Sequence, residues 1–272
     1  MDDLSRLCIH TATTKPWSIE IAVEQFARAG VPGITVWRDA IANRDPKRVG
    51  AMIRDAGLSA VSLCRGGFFP ALDADGRKRA ITDNLRAIDE AEAIGAPLIV
   101  LVCGADPGQP LERSRDQIVE GIRTVAARAR EAGVRLAIEP LHPMYADAKS
   151  AVNTMQSAND LCDRINEPNV GVAVDVYHIW WDPNAMAEIS RCAAAGRLYA
   201  FHVCDWRTPT RDFLLDRGLM GDGCINIPEF RHAVEKGGFD GFIEVEVFST
   251  QYWSMDQSVY LEQIINAYKT HV

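Results

Sequence analysis

Apolar residues gather in eight short runs, at about 6–11, 33–38, 58–64, 97–103, 135–141, 169–176, 198–205 and 241–248. Each run has the length of a buried strand rather than a helix. Between them the period changes to that of a helix. In DQIVEGIRTVAARAREAG the apolar residues Ile118, Ile122, Val125, Ala126 and Ala129 share one helical face. Six helical stretches stop at a glycine before the next run, at Gly30, Gly57, Gly95, Gly133, Gly196 and Gly237. Glycine accepts the left-handed conformation that closes a last turn. A seventh junction, NEPNVGVAVDV, uses Pro168 to bar helix continuation. Strands that alternate with helices pair in parallel. Eight such units predict a single (β/α)8 TIM barrel domain over residues 1–272. A doubly wound open sheet is the runner-up, but the chain holds no G-x-G-x-x-G and no G-x-x-x-x-G-K.

Four of the runs break this apolar pattern near their ends. Glu139 stands in RLAIEP, Asp175 in VGVAVDVYH, His202 in LYAFHVCDW and Glu246 in GFIEVEVFS. A charged group at a buried strand end is costly unless something compensates it. In a (β/α)8 barrel the C-terminal strand ends meet at one mouth. Three carboxylates and an imidazole gathered there suit one divalent cation, Mn2+, Mg2+, Co2+ or Zn2+. Ala137, Ala173 and Ala200 precede the first three by two positions, so small residues lie beneath them. Glu244, two before Glu246, shares its face and is a rival ligand or a supporting carboxylate.

Composition narrows the function without naming it. Of 272 residues, 47% are hydrophobic and 24% charged, ordinary for a soluble globular enzyme. The formal net charge of −8 argues against nucleic acid as a partner, since such binders carry a basic face. Seven cysteines form no C-x-x-C pair and several lie in apolar runs, which predicts buried reduced thiols. MDDLSRLCIH has no apolar signal core, and the longest apolar run, LIVLVC, is too short to cross a bilayer. The expectation is a cytoplasmic enzyme with no membrane partner; a homo-oligomer is left open.

Over nearly its whole length the chain resembles the xylose-isomerase-like TIM barrels. These include sugar phosphate isomerases and epimerases, ketose 3-epimerases, inosose isomerases and endonuclease IV. The resemblance rests on VDVYHIWWDP, FHVCDW, RGLMGDGCINIPEF and IEVEVFSTQYW. It implies a metal on Glu139, Asp175, His202 and Glu246, and the ending EVFSTQYW selects Glu246 over Glu244. It implies a substrate-contacting histidine three residues after the aspartate, His178, and an arginine before a G-x-G turn, Arg217, with Gly221 and Gly223 in the turn. The three-zinc endonuclease branch needs further histidines. Cys64-Arg65, Cys103-Gly104 and Asp216-Arg217-Gly218 stand where they would fall.

These residues suggest an isomerase or epimerase of a keto-sugar or keto-inositol. The ion would polarise a carbonyl and stabilise the enediolate left when the neighbouring proton departs. Glu139 and Glu246, from strands separated around the barrel, are the candidate catalytic acid/base pair, as in the epimerases the chain resembles. His10 at the end of strand 1 and His142 in EPLHP are further candidates for substrate contact, with a structural role as the alternative for each. Arg38 and Arg65 could hold a carboxylate or phosphate, or pair with acids. Six tryptophans follow strands, Trp181 among them, and suit the apolar face of a sugar or cyclitol, or loop packing. With no phosphate loop evident, a neutral substrate is favoured. The alternative activity is a metal-dependent lyase of inosose-dehydratase, dehydroshikimate-dehydratase or keto-glycoside-cleaving type, in which His142 or another acid would matter more.

Overall fold

The computed structural model describes residues 3–272. Eight parallel strands close a barrel: β1 (Leu7–His10), β2 (Gly33–Trp37), β3 (Ser59–Gly67), β4 (Leu98–Val102), β5 (Arg135–Ile138), β6 (Val170–Asp175), β7 (Leu198–Val203) and β8 (Ile243–Val245). The ring is completed by β1, which pairs with both β2 and β8. Eight helices cover it: α1 (Ile19–Arg28), α2 (Pro46–Asp55), α3 (Ala74–Ile94), α4 (Leu111–Glu131), α5 (Met155–Ile165), α6 (Ala185–Ala194), α7 (Ile227–Lys236) and α8 (Gln257–His271). The expected (β/α)8 TIM barrel is therefore the observed fold.

Local chemistry sets these boundaries. Ser18, Asp45 and Asp73 cap the first turns of α1, α2 and α3 by accepting from backbone N–H groups. Five of the six expected glycine stops take left-handed φ angles, between +67° and +83°. At the sixth the left-handed residue is Gly238 (φ +90°), not Gly237, because α7 runs one residue further. Each helix buries one face, as α1 does with Ile19, Ala22, Val23 and Phe26. A side chain as fully buried as Phe26 stabilises the fold by ~1.5–3 kcal/mol.

Two apolar layers result. The larger lies between strands and helices. The smaller fills the barrel axis with Cys64, Leu98, Val100, Ala137, Ala173 and Ala200. The three alanines expected beneath the polar strand ends are thus inside the barrel, and their small volume leaves room above. Three strand ends differ from expectation. β3 continues to Gly67, while β5 and β8 stop before Glu139 and Glu246, which begin the following loops. After β7 a short antiparallel pair, Asp205–Trp206 with Arg217–Gly218, folds back on the chain. Six cysteines are buried and Cys224 is exposed, all as free thiols.

Candidate metal centre

The four broken strand patterns converge. Ligand atoms of Glu139, Asp175, His202 and Glu246 all lie within 4.8 Å of one another, and all four residues are buried. Register explains the meeting: Asp175 on β6 pairs with His202 on β7, which pairs with Glu244 on β8. The chemistry of this donor set fits a divalent cation. So does its satisfaction: Glu139 Oε1 and both ring nitrogens of His202 are buried without a hydrogen-bond partner. Glu139 Oε1 and His202 Nδ1 stand 3.2 Å apart, where one ion would engage both.

Glu244 belongs to the layer beneath. Its Oε2 accepts from Thr35 Oγ1 (2.5 Å) and Ser62 Oγ (3.0 Å) and lies 3.1 Å from His10 Nε2. Its Oε1 is 3.7 Å from His202 Nε2. The structure places it behind His202, close to the ring but beyond hydrogen-bond distance of it. Burial opposes its charge, but His202 and His10 overcome that and hold its carboxyl far below the usual range.

His10 is fully buried and sits between Glu244 and Glu246, 3.0 Å from Glu246 Oε1, with the Trp37 indole N–H donating to its Nδ1. It does not line the cavity; with His202 and Glu246 it forms a second buried trio whose ligand atoms lie within 4.8 Å of one another. Burial lowers its pKa, yet Glu246 and Glu244 together push it above the ordinary histidine value.

Arg217 is the central cation. Its Nη1 donates to Glu246 Oε2 (2.8 Å) and Asp175 Oδ2 (3.3 Å), and its Nη2 lies 3.3 Å from His178 Nε2. The guanidinium is stacked between Tyr177 (4.2 Å) and Phe248 (5.1 Å). Its backbone is fixed by the Asp205–Trp206 pairing and by donation from its N–H to Phe248 O. Asp205 in turn accepts from the N–H groups of Trp206, Gly221 and Ile225, which ties down the G-x-G turn. Beside these charges Asp175 is pushed up to about 7. Burial is the main cause, opposed by Arg217 and reinforced by Glu246 and Glu139. Glu246 is held well below the usual range by His10 and Arg217 despite its burial.

His178 is buried, accepts from the His142 backbone N–H at Nδ1, and has its pKa lowered by burial and by Arg217. It lines a cavity of about 200 Å³ together with Glu139, Glu246 and Arg217. Trp181 and His142 do not. Trp181 donates to His178 O, and His142 stacks on Trp206 at 5.0 Å and meets Trp181 edge-on. Both brace the wall that carries His178. Of the six tryptophans only Trp37 lines the cavity; Trp253, for example, donates to the carbonyls of Ala12 and Thr13. Arg38 pairs with Asp83 and Glu90, the structural fate. Among the described residues Arg65 has no ion-pair partner, and it lines the cavity with Tyr145 and Lys149, two residues sequence reasoning passed over. They lie in the irregular segment after β5, where no periodicity marks a side chain's direction.

Comparison with known proteins places this geometry. Protein SMc04130 of Sinorhizobium meliloti 1021 is 43% identical, with a TM-score of 0.95 over 98% of each chain. The structure of the IOLI protein with a bound zinc atom superposes with a TM-score of 0.85 over 97% of this chain and 96% of that one, at 19% identity. The inosose isomerase of Halalkalibacterium halodurans is 23% identical over 192 residues; the match covers 69% of this chain and 66% of that protein, just under two thirds of its length. Curated relatives are enzymes: inosose isomerases, an L-ribulose 3-epimerase of Methylomonas sp. and a 3-dehydroshikimate dehydratase of Pseudomonas aeruginosa. The sequence profile of the xylose isomerase-like TIM barrel matches residues 23–269, and the chain belongs to that family.

Proposed function

We propose that this chain is a divalent-metal-dependent isomerase or epimerase of a keto-sugar or keto-inositol. The observation that carries this reading is the convergence of Glu139, Asp175, His202 and Glu246, with Glu139 Oε1 and both His202 nitrogens left unsatisfied in a buried site. These four residues would hold the ion. When bound, it polarises a substrate carbonyl and stabilises the negative charge that develops on it.

The chain's own groups do the rest. Glu139 follows β5 and Glu246 follows β8, with β6 and β7 between them, and both reach the cavity. They would face a sugar carbon from two sides, one taking a proton next to the carbonyl and the other returning it. Glu246 is kept ionised by Arg217 and His10, so it is ready as the base. His178 and Arg217 would orient hydroxyl groups of the substrate. Phe248 and Trp37 supply apolar walls that exclude water.

The lyase alternative needs an acid at the leaving group. His142, one candidate from the sequence, is turned against Trp206 and Trp181 outside the cavity lining, which removes that route to the lyase and supports the isomerase reading. The test is incubation of metal-loaded protein with a panel of ketoses and inososes in D2O, followed by NMR. Deuterium should enter at the carbon beside the carbonyl; none across the panel would overturn the reading.

A further inference from the structure

The cavity holds two cations that no acid neutralises. Arg65, at the far end of β3, stacks over the Phe68 ring at 4.2 Å. Lys149 Nζ lies 4.5 Å over the Tyr145 ring. Among the described residues neither side chain has an ion pair or a hydrogen bond, and both are half-buried against the cavity shared with Glu139 and Glu246. Neighbouring arginines behave differently: Arg38 holds Asp83 and Glu90, and Arg86 reaches the same two acids. The acids that act on Arg65 from a distance, Asp39 and Asp83, and on Lys149, Asp212, form no bridge with either.

Both cations stand on fixed backbone. Phe68 N–H donates to Val102 O, and Gly104 N–H donates to Lys149 O, so each segment is anchored at the top of β4. Aromatic faces position the charges without neutralising them. Burial and the repulsion of Arg217 and Arg65 lower the Lys149 pKa, the expected signature of like charges sharing a site. The metal centre does not compensate them. Its Asp175 and Glu246 carboxylates are engaged by Arg217, and no carboxylate of the centre forms a bridge to Arg65 or Lys149 among the described residues.

We propose that the substrate carries an anionic oxygen group, carboxylate or phosphate, which Arg65 and Lys149 bind while the keto-hydroxyl end faces Glu139 and Glu246. Arg65 offers a planar fork and Lys149 a point charge, a pairing suited to either oxyanion. The cavity, about 200 Å³, fits a single sugar-sized acid. This departs from the neutral polyol that the absence of a phosphate loop favours in the sequence, because the two charges come from separate segments with no local motif. The proposal rests on the metal-centre reading for the position of the reacting end. It is tested by binding rather than turnover, so it stands or falls apart from the deuterium experiment.

The experiment is calorimetric titration of the metal-loaded protein, at fixed ionic strength, with D-fructose, 5-keto-D-gluconate and D-fructose 6-phosphate. At least one anionic probe should bind tenfold or more tighter than fructose, and which one does so separates carboxylate from phosphate. Arg65→Gln and Lys149→Gln should each remove at least tenfold of that preference while the protein still takes up one metal ion per chain, which shows that it is folded. Equal affinity for charged and neutral probes, no binding of either anion, or a preference that survives both substitutions would overturn the proposal.

Discussion

Glu244 Oε1 faces His202 Nε2 at 3.7 Å, on the side of the ring away from Glu139, so one imidazole lies between two carboxylates, one proposed to hold the ion and one behind it. Such partners fix the orientation and raise the basicity of a metal-binding histidine. Glu244→Gln keeps the size of the side chain and removes its charge. Metal affinity should fall by roughly 10–100-fold with the fold intact. Titration of the purified variant with Mn2+ or Zn2+ measures this; an unchanged affinity would place Glu244 outside the metal's influence.

Metal occupancy should be visible in stability, because Glu139 Oε1 and the His202 nitrogens have no protein hydrogen bond. Protein stripped with a chelator should gain Tm on addition of a divalent ion. At a free-ion concentration a hundred times Kd the added stability is ~2.7 kcal/mol. Asp175→Asn should lose most of that gain in the same calorimetric scan.

Asp205 is a third point of test. Its carboxylate gathers three backbone N–H groups and so sets the loop that presents Arg217. Asp205→Ala leaves those donors without their acceptor, which should cost about 1–3 kcal/mol in urea unfolding. Turnover should fall further than stability, since Arg217 loses its fixed backbone. An Asp205→Asn variant should recover part of both.

The pH dependence of stability has a defined sign at His142. Burial lowers its pKa below the ordinary value, so the unfolded chain binds the proton more readily than the folded one. Stability contributed by the neutral ring is therefore fully present above about pH 6.5 and is lost as pH falls through the folded pKa, with a slope of at most ~1.4 kcal/mol per unit. The Tm of His142→Gln, measured from pH 7.5 to 5, should decline less steeply than that of the parent chain. Parallel curves would show that His142 keeps its proton affinity on folding.

Backbone fit gives a sharper structural test. A Cβ at Gly67 would lie 1.9 Å from the carbonyl oxygen of Val102, at a φ of +110° that side chains rarely adopt. Gly67→Ala should destabilise the chain severely, by at least the ~1–3 kcal/mol of ordinary overpacking, and lower the urea midpoint accordingly.

The periodic part of the fold was legible in the chain. Eight apolar runs and five of six glycine stops sit where the pattern put them. The end of β3 was not, since the apolar run stops at Cys64 while the strand continues to Gly67, which pairs with Val102. Glu139, Asp175, His202 and Glu246 stood out because a polar residue in a buried strand is costly, and they do converge. Thr35 and Ser62 carried no such signal. Hydroxyls are cheap to bury once bonded, and their partner Glu244 is more than 180 residues away. For the same reason Arg38 and Arg65 looked alike in sequence; only the third dimension brings Asp83 and Glu90 to one and a cavity to the other.

The seam between β1 and β8 has a kinetic consequence. The strand that shuts the ring is the last to be synthesised, and Glu246 directly follows it. A nascent polypeptide still lacking its final segment has an open sheet edge and an incomplete coordination set at once. Pairing of β1 with β8 spans more than 230 residues, and contacts of that range slow folding. The proposed cation uptake should therefore require the closed ring, which makes metal capture a reporter of ring closure.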